Sequence, residues 1–260
     1  DFAKAYFVLG IAYGERGQYA EEITACKKAI ALQPDLAGAY SNMGFAYIHL
    51  GQHADALAAC KKAIALEPDL FAAYHTIGTA YFKLGRHAEA ATAFKKAISI
   101  YPEYAEAYFG MGITYQALEQ YPVAIAAYRK AVFLKPDCVK AYVNMGVIYV
   151  KLGRHTDAIA AYKKVIGLKS DYVEAYYNMG NAYRRLKQYK DAAAAYQKVI
   201  AIRPDDFRSY LNMGLAHENI KQYTPAIAAF KKYLTLKPTG SFADMARKKI
   251  KELSKTLSEE

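Results

Sequence analysis

The chain has no tryptophan, only three cysteines and no long hydrophobic run, and each shortage removes a class of function. A bilayer-spanning helix needs roughly 18 to 20 uninterrupted apolar residues. Polar or charged side chains break every apolar stretch before that length, which excludes insertion into a membrane. Cys26, Cys60 and Cys138 are odd in number and show no CxxC spacing, so they predict neither a disulfide framework nor a zinc site. Unpaired thiols fit a reducing compartment, and a cytoplasmic location is the expectation. The opening residues, Asp1-Phe2-Ala3-Lys4-Ala5-Tyr6, contain no initiator Met, no basic stretch and no apolar core of a signal peptide. This start predicts that the natural N-terminus has been removed.

Catalytic signatures are missing too. There is no P-loop, no GxGxxG following a strand, no GxSxG and no HExxH. His75 has no HxxxH partner, and neither it nor His49 has paired carboxylates. No enzymatic activity, no cofactor and no metal site are expected. What is present is apolar material: 54% of the residues are hydrophobic and 23% charged, enough for a packed core and too much for a disordered chain.

That material is periodic. Tyr6, Tyr40, Tyr74, Tyr108, Tyr142, Tyr176 and Tyr210 recur every 34 residues, and Gly10, Gly44, Gly78, Gly112, Gly146, Gly180 and Gly214 keep the same step. Pro34, Pro68, Pro102, Pro136, Pro204 and Pro238 follow it, with Ser170 as the single substitute. The spacing predicts seven repeats, 3–36, 37–70, 71–104, 105–138, 139–172, 173–206 and 207–240, and then a closing segment, 241–260. Within a repeat, positions 4, 7, 8 and 11 share one helical face, and positions 20, 24 and 27 share a face of a second helix. Gly17, Gly51, Gly85 and Gly153 mark the turn between the two, and the prolines end the second. Each repeat is thus a helical hairpin that cannot bury its faces alone, so the hairpins must stack. A glycine inside a helix costs about 1 kcal/mol relative to alanine. Its recurrence at position 8 predicts close packing, with the small residues at position 20 (Ala56, Ala90, Ala124, Ala158, Ala192, Ala226) allowing the approach and the tyrosines of positions 4 and 11 filling the space beside it.

These residues resemble the tetratricopeptide repeat family, whose W-x2-L-G-x2-Y…A-x3-F…A-x4-P pattern runs through all but the last 20 residues with Tyr in place of the leading Trp. The seventh repeat departs most, with His217 for Tyr and Tyr233 for Ala. The resemblance implies an all-α fold, a right-handed α-α superhelix (solenoid) of seven 34-residue hairpins with the first helices lining its concave side. After Pro238, Phe242, Met245, Ala246, Ile250, Leu253 and Leu257 give the last segment one apolar face. A C-terminal capping helix with Ser241 as N-cap is expected there. The first helix presents the same apolar positions as the internal ones, so a missing segment, another repeat or a second subunit is expected to cover its outer edge.

Positions 2, 5, 6, 9, 12 and 13 of the first helices vary from repeat to repeat and lie on the opposite face, the groove face of the family. Position 6 reads Val8, Asn42, Thr76, Gly110, Asn144, Asn178, Asn212. An Asn amide pairs with both the C=O and the N–H of an extended peptide. With neighbouring first helices about 10 Å apart and a strand rising about 3.3 Å per residue, one Asn meets every third peptide residue. These asparagines resemble those of the superhelical arm of O-linked N-acetylglucosamine transferases, although only Asn42, Asn144, Asn178 and Asn212 match. The two-carboxylate clamp of chaperone-binding relatives is not matched: Asn181 and Asn212 fit, but Tyr177, Phe242 and Ala246 stand where cations are wanted. Lys140, Tyr177, Asn181, Arg184, Arg185 and Arg208 surround the asparagines and suit an acidic peptide.

The net charge of +11 does not by itself indicate a nucleic acid. Thirteen cations at positions 25 and 26, from Lys27-Lys28 to Lys231-Lys232, exceed that balance on their own. They fall opposite the buried face of the second helix, near a helix C-terminus where the dipole favours them, and lack the interleaved aromatics that stack bases. His53, His87 and His155 share position 17 with tyrosines, and Cys26 and Cys60 share position 24 with Phe94 and Tyr128, so both sets read as packing residues. The expected function is a protein-interaction scaffold that binds an extended segment of a partner in its groove. The alternatives are a substrate-recruiting arm of a larger enzyme, such as a glycosyltransferase, and a scaffold that self-associates through its N-terminal edge.

Overall fold

A computed structural model describes residues 2–259. Fifteen helices are found among them: α1 Phe2–Glu15, α2 Tyr19–Leu32, α3 Ala37–His49, α4 His53–Leu66, α5 Phe71–Lys83, α6 His87–Ile100, α7 Ala105–Ala117, α8 Tyr121–Leu134, α9 Val139–Lys151, α10 His155–Leu168, α11 Val173–Arg185, α12 Tyr189–Ile202, α13 Phe207–Asn219, α14 Tyr223–Leu236 and α15 Ser241–Glu259. The fold is all-α and built of paired helices, as the periodicity predicts, and no helix among the described residues is long and apolar enough to cross a membrane. The chain falls into two compact units, Asp1–Ala141 and Tyr142–Glu260.

In the first unit α1 pairs with α2, α3 with α4, α5 with α6 and α7 with α8, while α1, α3, α5 and α7 also touch in succession. The core runs between hairpins. Cys26, Ala29 and Ala39 pack with Tyr6 and Met43, Cys60, Ala63 and Ala73 pack with Tyr40 and Ile77, and Phe94 packs with Ala107 and Tyr74. In the second unit Tyr196, Ile200 and Met213 join α12 to α13, and Phe230, Tyr233, Ala246 and Leu253 join α14 to the closing helix α15.

The glycine of position 8 faces the residue of position 24. A Cβ on Gly112, Gly146, Gly180 or Gly214 would stand 2.5 to 2.7 Å from the ring of Tyr128, Tyr162, Tyr196 or Phe230. A Cβ on Gly44 would collide with the Cys60 thiol. The close approach expected at this glycine is therefore real, but the neighbour that demands it is a buried ring one helix away rather than the tyrosines of positions 4 and 11. Those rings are fully buried, and close-packed interiors leave no slack for an added methyl.

The turn after each first helix needs a left-handed residue. Gly17, Gly51, Gly85 and Gly153 supply it with φ between 70° and 75°. The other three repeats described use Glu119, Lys187 and Lys221 at φ 57° to 59°, which a side chain tolerates poorly. The closure is the same in both cases: Gly153 N and Lys187 N donate to the carbonyls of Val150 and Arg184 at 3.0 Å.

The closing helix differs from expectation in two ways. It begins on Ser241 itself, with Gly240 at φ 101° just before it accepting from the N–H groups of Ala243 and Asp244, so Ser241 is not the cap. Its inward face is Ala243, Ala246 and Leu253, whereas Phe242 is 60% exposed because the helix is rotated toward the smaller side chains.

Two glycine substitutions separate these roles. Gly180→Ala should lose about 1 to 3 kcal/mol, because its methyl must displace the Tyr196 ring. Gly167→Ala, where an added Cβ meets nothing within 4 Å, should gain about 0.5 to 1 kcal/mol from helix propensity. Urea unfolding of both variants measures the difference.

Candidate functional site

The thirteen cations at positions 25 and 26 are all exposed. Several lie over tyrosines, with Lys28 Nζ 5.3 Å from the Tyr6 ring, Lys96 Nζ 5.9 Å from Tyr74 and Lys95 Nζ 5.6 Å from Tyr115. The stripe thus has a structural use against aromatic faces. Cys26 and Cys60 are fully buried free thiols, and burial pushes both up to about 12, which makes them inert as nucleophiles. The His75 ring lies 5.1 Å from that of Tyr104 and 5.6 Å from that of Phe94, and burial pulls its pKa down to about 4.

In the second unit the variable face of α11 opens onto a crevice of about 350 Å³ lined by Val150, His155, Tyr177, Asn181, Ala182, Arg184, Arg185 and Asn212. Five of the expected site residues, Tyr177, Asn181, Arg184, Arg185 and Asn212, come together here. They do so because positions 5, 9, 12 and 13 of one helix share a face and position 6 of the next first helix borders it. His155 was expected to be a packing residue at the hairpin turn, and it also lines this opening.

Hydrogen bonds fix the walls. Asn212 Nδ2 donates to Tyr177 Oη at 3.2 Å, tying α13 to α11. Tyr196 Oη donates to Asn181 Oδ1 at 2.7 Å, and the rings of Tyr177 and Tyr196 meet edge to face at 5.9 Å. Burial raises the Tyr196 phenol well above its ordinary range, so it stays a neutral donor. Two polar atoms are left over. Arg184 Nε and His155 Nδ1 are buried with no hydrogen-bond partner. A buried N–H without an acceptor costs about 1 to 3 kcal/mol, more when the group is charged.

The other expected residues lie elsewhere. Asn178 is half-buried and hydrogen-bonds to the Tyr162 hydroxyl, whose pKa burial pushes up to about 12. Arg208 is exposed but committed, with Nε 3.1 Å from Asp206 Oδ1 and its guanidinium 5.1 Å from the centre of the Tyr177 ring. Asn144 is half-buried on α9 and outside the crevice lining. Asn42 and Lys140 belong to the first unit, Lys140 exposed and Asn42 beside a crevice of its own. The apolar residues of the early repeats extend the core: the tip of the Phe7 ring fills the space a Cβ on Gly38 would need, and the Phe109 ring lies 5.8 Å from that of Tyr128.

Sequence reasoning missed the hydroxyls of position 24. Tyr128 donates to Gln116 Oε1 at 2.8 Å and Tyr196 to Asn181, while Tyr162 bonds to Asn178. Rings seated in the core thus put their polar ends on the variable face. Tyr at position 24 coincides with an amide at position 9 or 12 of the same repeat or at position 6 of the next, but Cys26 has such an amide as well, Asn42, so the pattern alone does not report where the hydroxyl points.

The comparisons with known proteins agree with this architecture. Patterns described as TPR repeat match residues 10–51, 117–153 and 146–187, and patterns described as tetratricopeptide repeat match 35–103, 69–132, 173–206 and 207–239. Among solved structures, one of MamA is 30% identical with a TM-score of 0.57, covering 62% of this chain and 95% of that one. YrrB, described as a TPR protein with an unusual peptide-binding site, is 25% identical with a TM-score of 0.62, covering 71% of this chain and 95% of that one. The C-terminal part of a TPR repeat-containing protein from Cytophaga hutchinsonii matches 92% of this chain and 98% of its own at 20% identity and a TM-score of 0.74, a likeness of fold alone. No curated protein matches the sequence.

The amide–phenol bonds have a measurable weight. Asn178→Ala should cost about 1 kcal/mol, because it leaves the Tyr162 hydroxyl unpaired, and most of that cost should vanish in a Tyr162→Phe background. A double-mutant cycle by chemical denaturation reads the coupling.

Proposed function

Since this chain belongs to the tetratricopeptide repeat family, we propose that it is a protein-interaction scaffold whose second unit holds an extended acidic segment of a partner protein. The observation that carries this reading is the crevice lined by Arg184, Arg185, Asn181, Asn212 and Tyr177, with Arg184 Nε buried and unpartnered inside it.

The chemistry follows from the donor set. A carboxylate of an Asp or Glu side chain accepts from Arg184 Nε and, in the charge-assisted geometry available to a guanidinium, from a second N–H beside it. Arg185 is exposed next to it and adds attraction at longer range. Asn212 uses one N–H hydrogen on Tyr177, so the amide keeps a second hydrogen and its carbonyl for the backbone of a guest. Tyr177 offers a ring face already half-covered by Arg208, a rigid wall that loses little entropy on binding. Arg208 contributes less charge than its type suggests, because Asp206 neutralises it. The likeness to YrrB, a TPR protein with a peptide-binding site and 25% identity to this chain, supports a peptide as the class of ligand.

The test is fluorescence anisotropy with a labelled ten-residue peptide rich in Asp and Glu. Arg184→Met, which keeps the buried stem but removes the charge, should weaken binding by about tenfold or more, as loss of a charged hydrogen-bond partner does. Binding should also weaken as salt rises from low to physiological strength. Equal affinity of the variant and the wild type, or equal affinity for a Lys-rich peptide, would refute the reading.

A further inference from the structure

Position 20 is alanine in repeats two to seven, but in the first repeat it is Glu22. This side chain is 2% exposed, and its Oε2 has no hydrogen-bond partner. The space it occupies is created by Gly14 on α1, where a Cβ would stand 2.6 Å from Oε2 and 2.9 Å from Oε1. Two departures from the repeat pattern, a glutamate where the others have alanine and a glycine facing it, thus combine to hold one carboxylate at this spot. A buried carboxylate with an unmet oxygen is costly, and burial raises its pKa to about 7. Nothing in the fold requires it, since six repeats pack the same site with a methyl.

The carboxylate lines a crevice of about 350 Å³ together with Ile11, Gly14, Glu15, Asn42 and Phe45. In repeat terms this is the counterpart of the basic crevice with its sign reversed: Glu15 stands where Arg185 does, Gly14 where Arg184 does and Asn42 where Asn212 does. An acidic opening on the variable face runs against a chain of net charge +11. We propose that this crevice binds the side-chain ammonium of a lysine on a partner protein.

The lining matches that group part by part. Glu22 Oε2 lacks an N–H donor, and an ammonium carries three. Glu15 adds a second negative charge, and the Asn42 amide adds a carbonyl. Ile11 and the Phe45 ring, which is 44% exposed, form an apolar wall for the methylene stem, in the way lysine stems lie along apolar surface. Phe45 is held in place by His49, whose ring meets it edge-on at 4.6 Å and stacks on Tyr19 at 4.2 Å. A divalent metal suits the site poorly, because hard cations take six or more oxygens, and no group of three or more His, Cys, Asp or Glu is placed to hold one among the described residues. The proposal stands apart from the reading of the second unit, since it uses different residues and a ligand of opposite charge.

The probe is an N-acetylated, C-amidated peptide, Ser-Gly-Lys-Gly-Ser, titrated into the full chain at low salt and followed by the backbone NMR signals of Gly14 and the side-chain amide of Asn42. Both signals should shift saturably with the lysine peptide and stay fixed with its Nε-acetyl form, which has lost the charge. Glu22→Ala restores the residue of the other repeats, so its Tm should equal or exceed that of the wild type while the affinity falls by about tenfold or more. Arg184→Met should leave this titration unchanged, which separates a failure here from a failure in the second unit. The proposal is overturned if neither signal moves at millimolar peptide, if the acetylated peptide or Glu22→Ala binds as well, or if Glu22→Ala lowers Tm, which would make the carboxylate a structural group.

Discussion

The structure depends on one contact repeated along the chain, a side chain from the second helix of each hairpin seated on a glycine in the middle of the first. Where the seated group is a ring, as with Phe94, Tyr128, Tyr162, Tyr196 and Phe230, the glycine's missing Cβ is the space the ring occupies. In the first two repeats the group is a thiol, Cys26 or Cys60, and a Cβ on Gly10 would stand 3.1 Å from the Cys26 sulfur. The loss of helix propensity at each glycine, about 1 kcal/mol, is outweighed by burying a whole ring, which contributes about 1.5 to 3 kcal/mol. Because the ring lies across the first helix, a tyrosine in this seat carries its hydroxyl through to the variable face. Core packing and the chemistry of that face are thereby joined: the same side chain fills the one and orients Gln116, Asn178 or Asn181 on the other.

The asparagines of the second unit are tied into this network. Asn178, Asn181 and Asn212 are each bound to a tyrosine hydroxyl, so they form a fixed wall rather than a row of free amides. Fixed groups lose less freedom when a guest arrives, which favours affinity. Each crevice holds charged or titratable atoms with unmet bonding capacity, Arg184 Nε and His155 Nδ1 in one and Glu22 Oε2 in the other, while His53 and His87, at the same repeat position as His155, carry the same unpaired Nδ1. The basic crevice and the acidic one draw on the same positions 6, 12 and 13, while the glycine of position 8 is the same in all seven repeats.

Much of this was legible in the sequence. First helices start at Ala37, Phe71, Ala105, Val139, Val173 and Phe207, where the 34-residue step places the repeats, because a strict period exposes every shared constraint several times over. The crevice residues Tyr177, Asn181, Arg184, Arg185 and Asn212 were legible for the complementary reason, since they vary on a face the packing leaves open. Four features were not. The direction of a tyrosine hydroxyl depends on where the ring leans, which periodicity does not report. Left-handed backbone at Glu119, Lys187 and Lys221 is imposed by the turn against the preference of the residue. Glu22 is a single exception, and reading by common positions averages exceptions away; a search for the residue that breaks each column would have found it. The rotation of α15 that exposes Phe242 was hidden because the closing helix has no sister repeat to compare.

The proposed function makes specificity depend on Arg184 and the other charged groups of the variable face, and not on the lysine stripe of the second helices. The measurement closest to it is the NMR signal of the Arg184 Nε–H, followed as an acidic peptide is added. A downfield shift of that one signal together with the Asn212 side-chain amide, with the Lys163 and Lys198 signals unmoved, is the predicted result. Perturbation confined to the lysines, with Arg184 silent, would contradict the account.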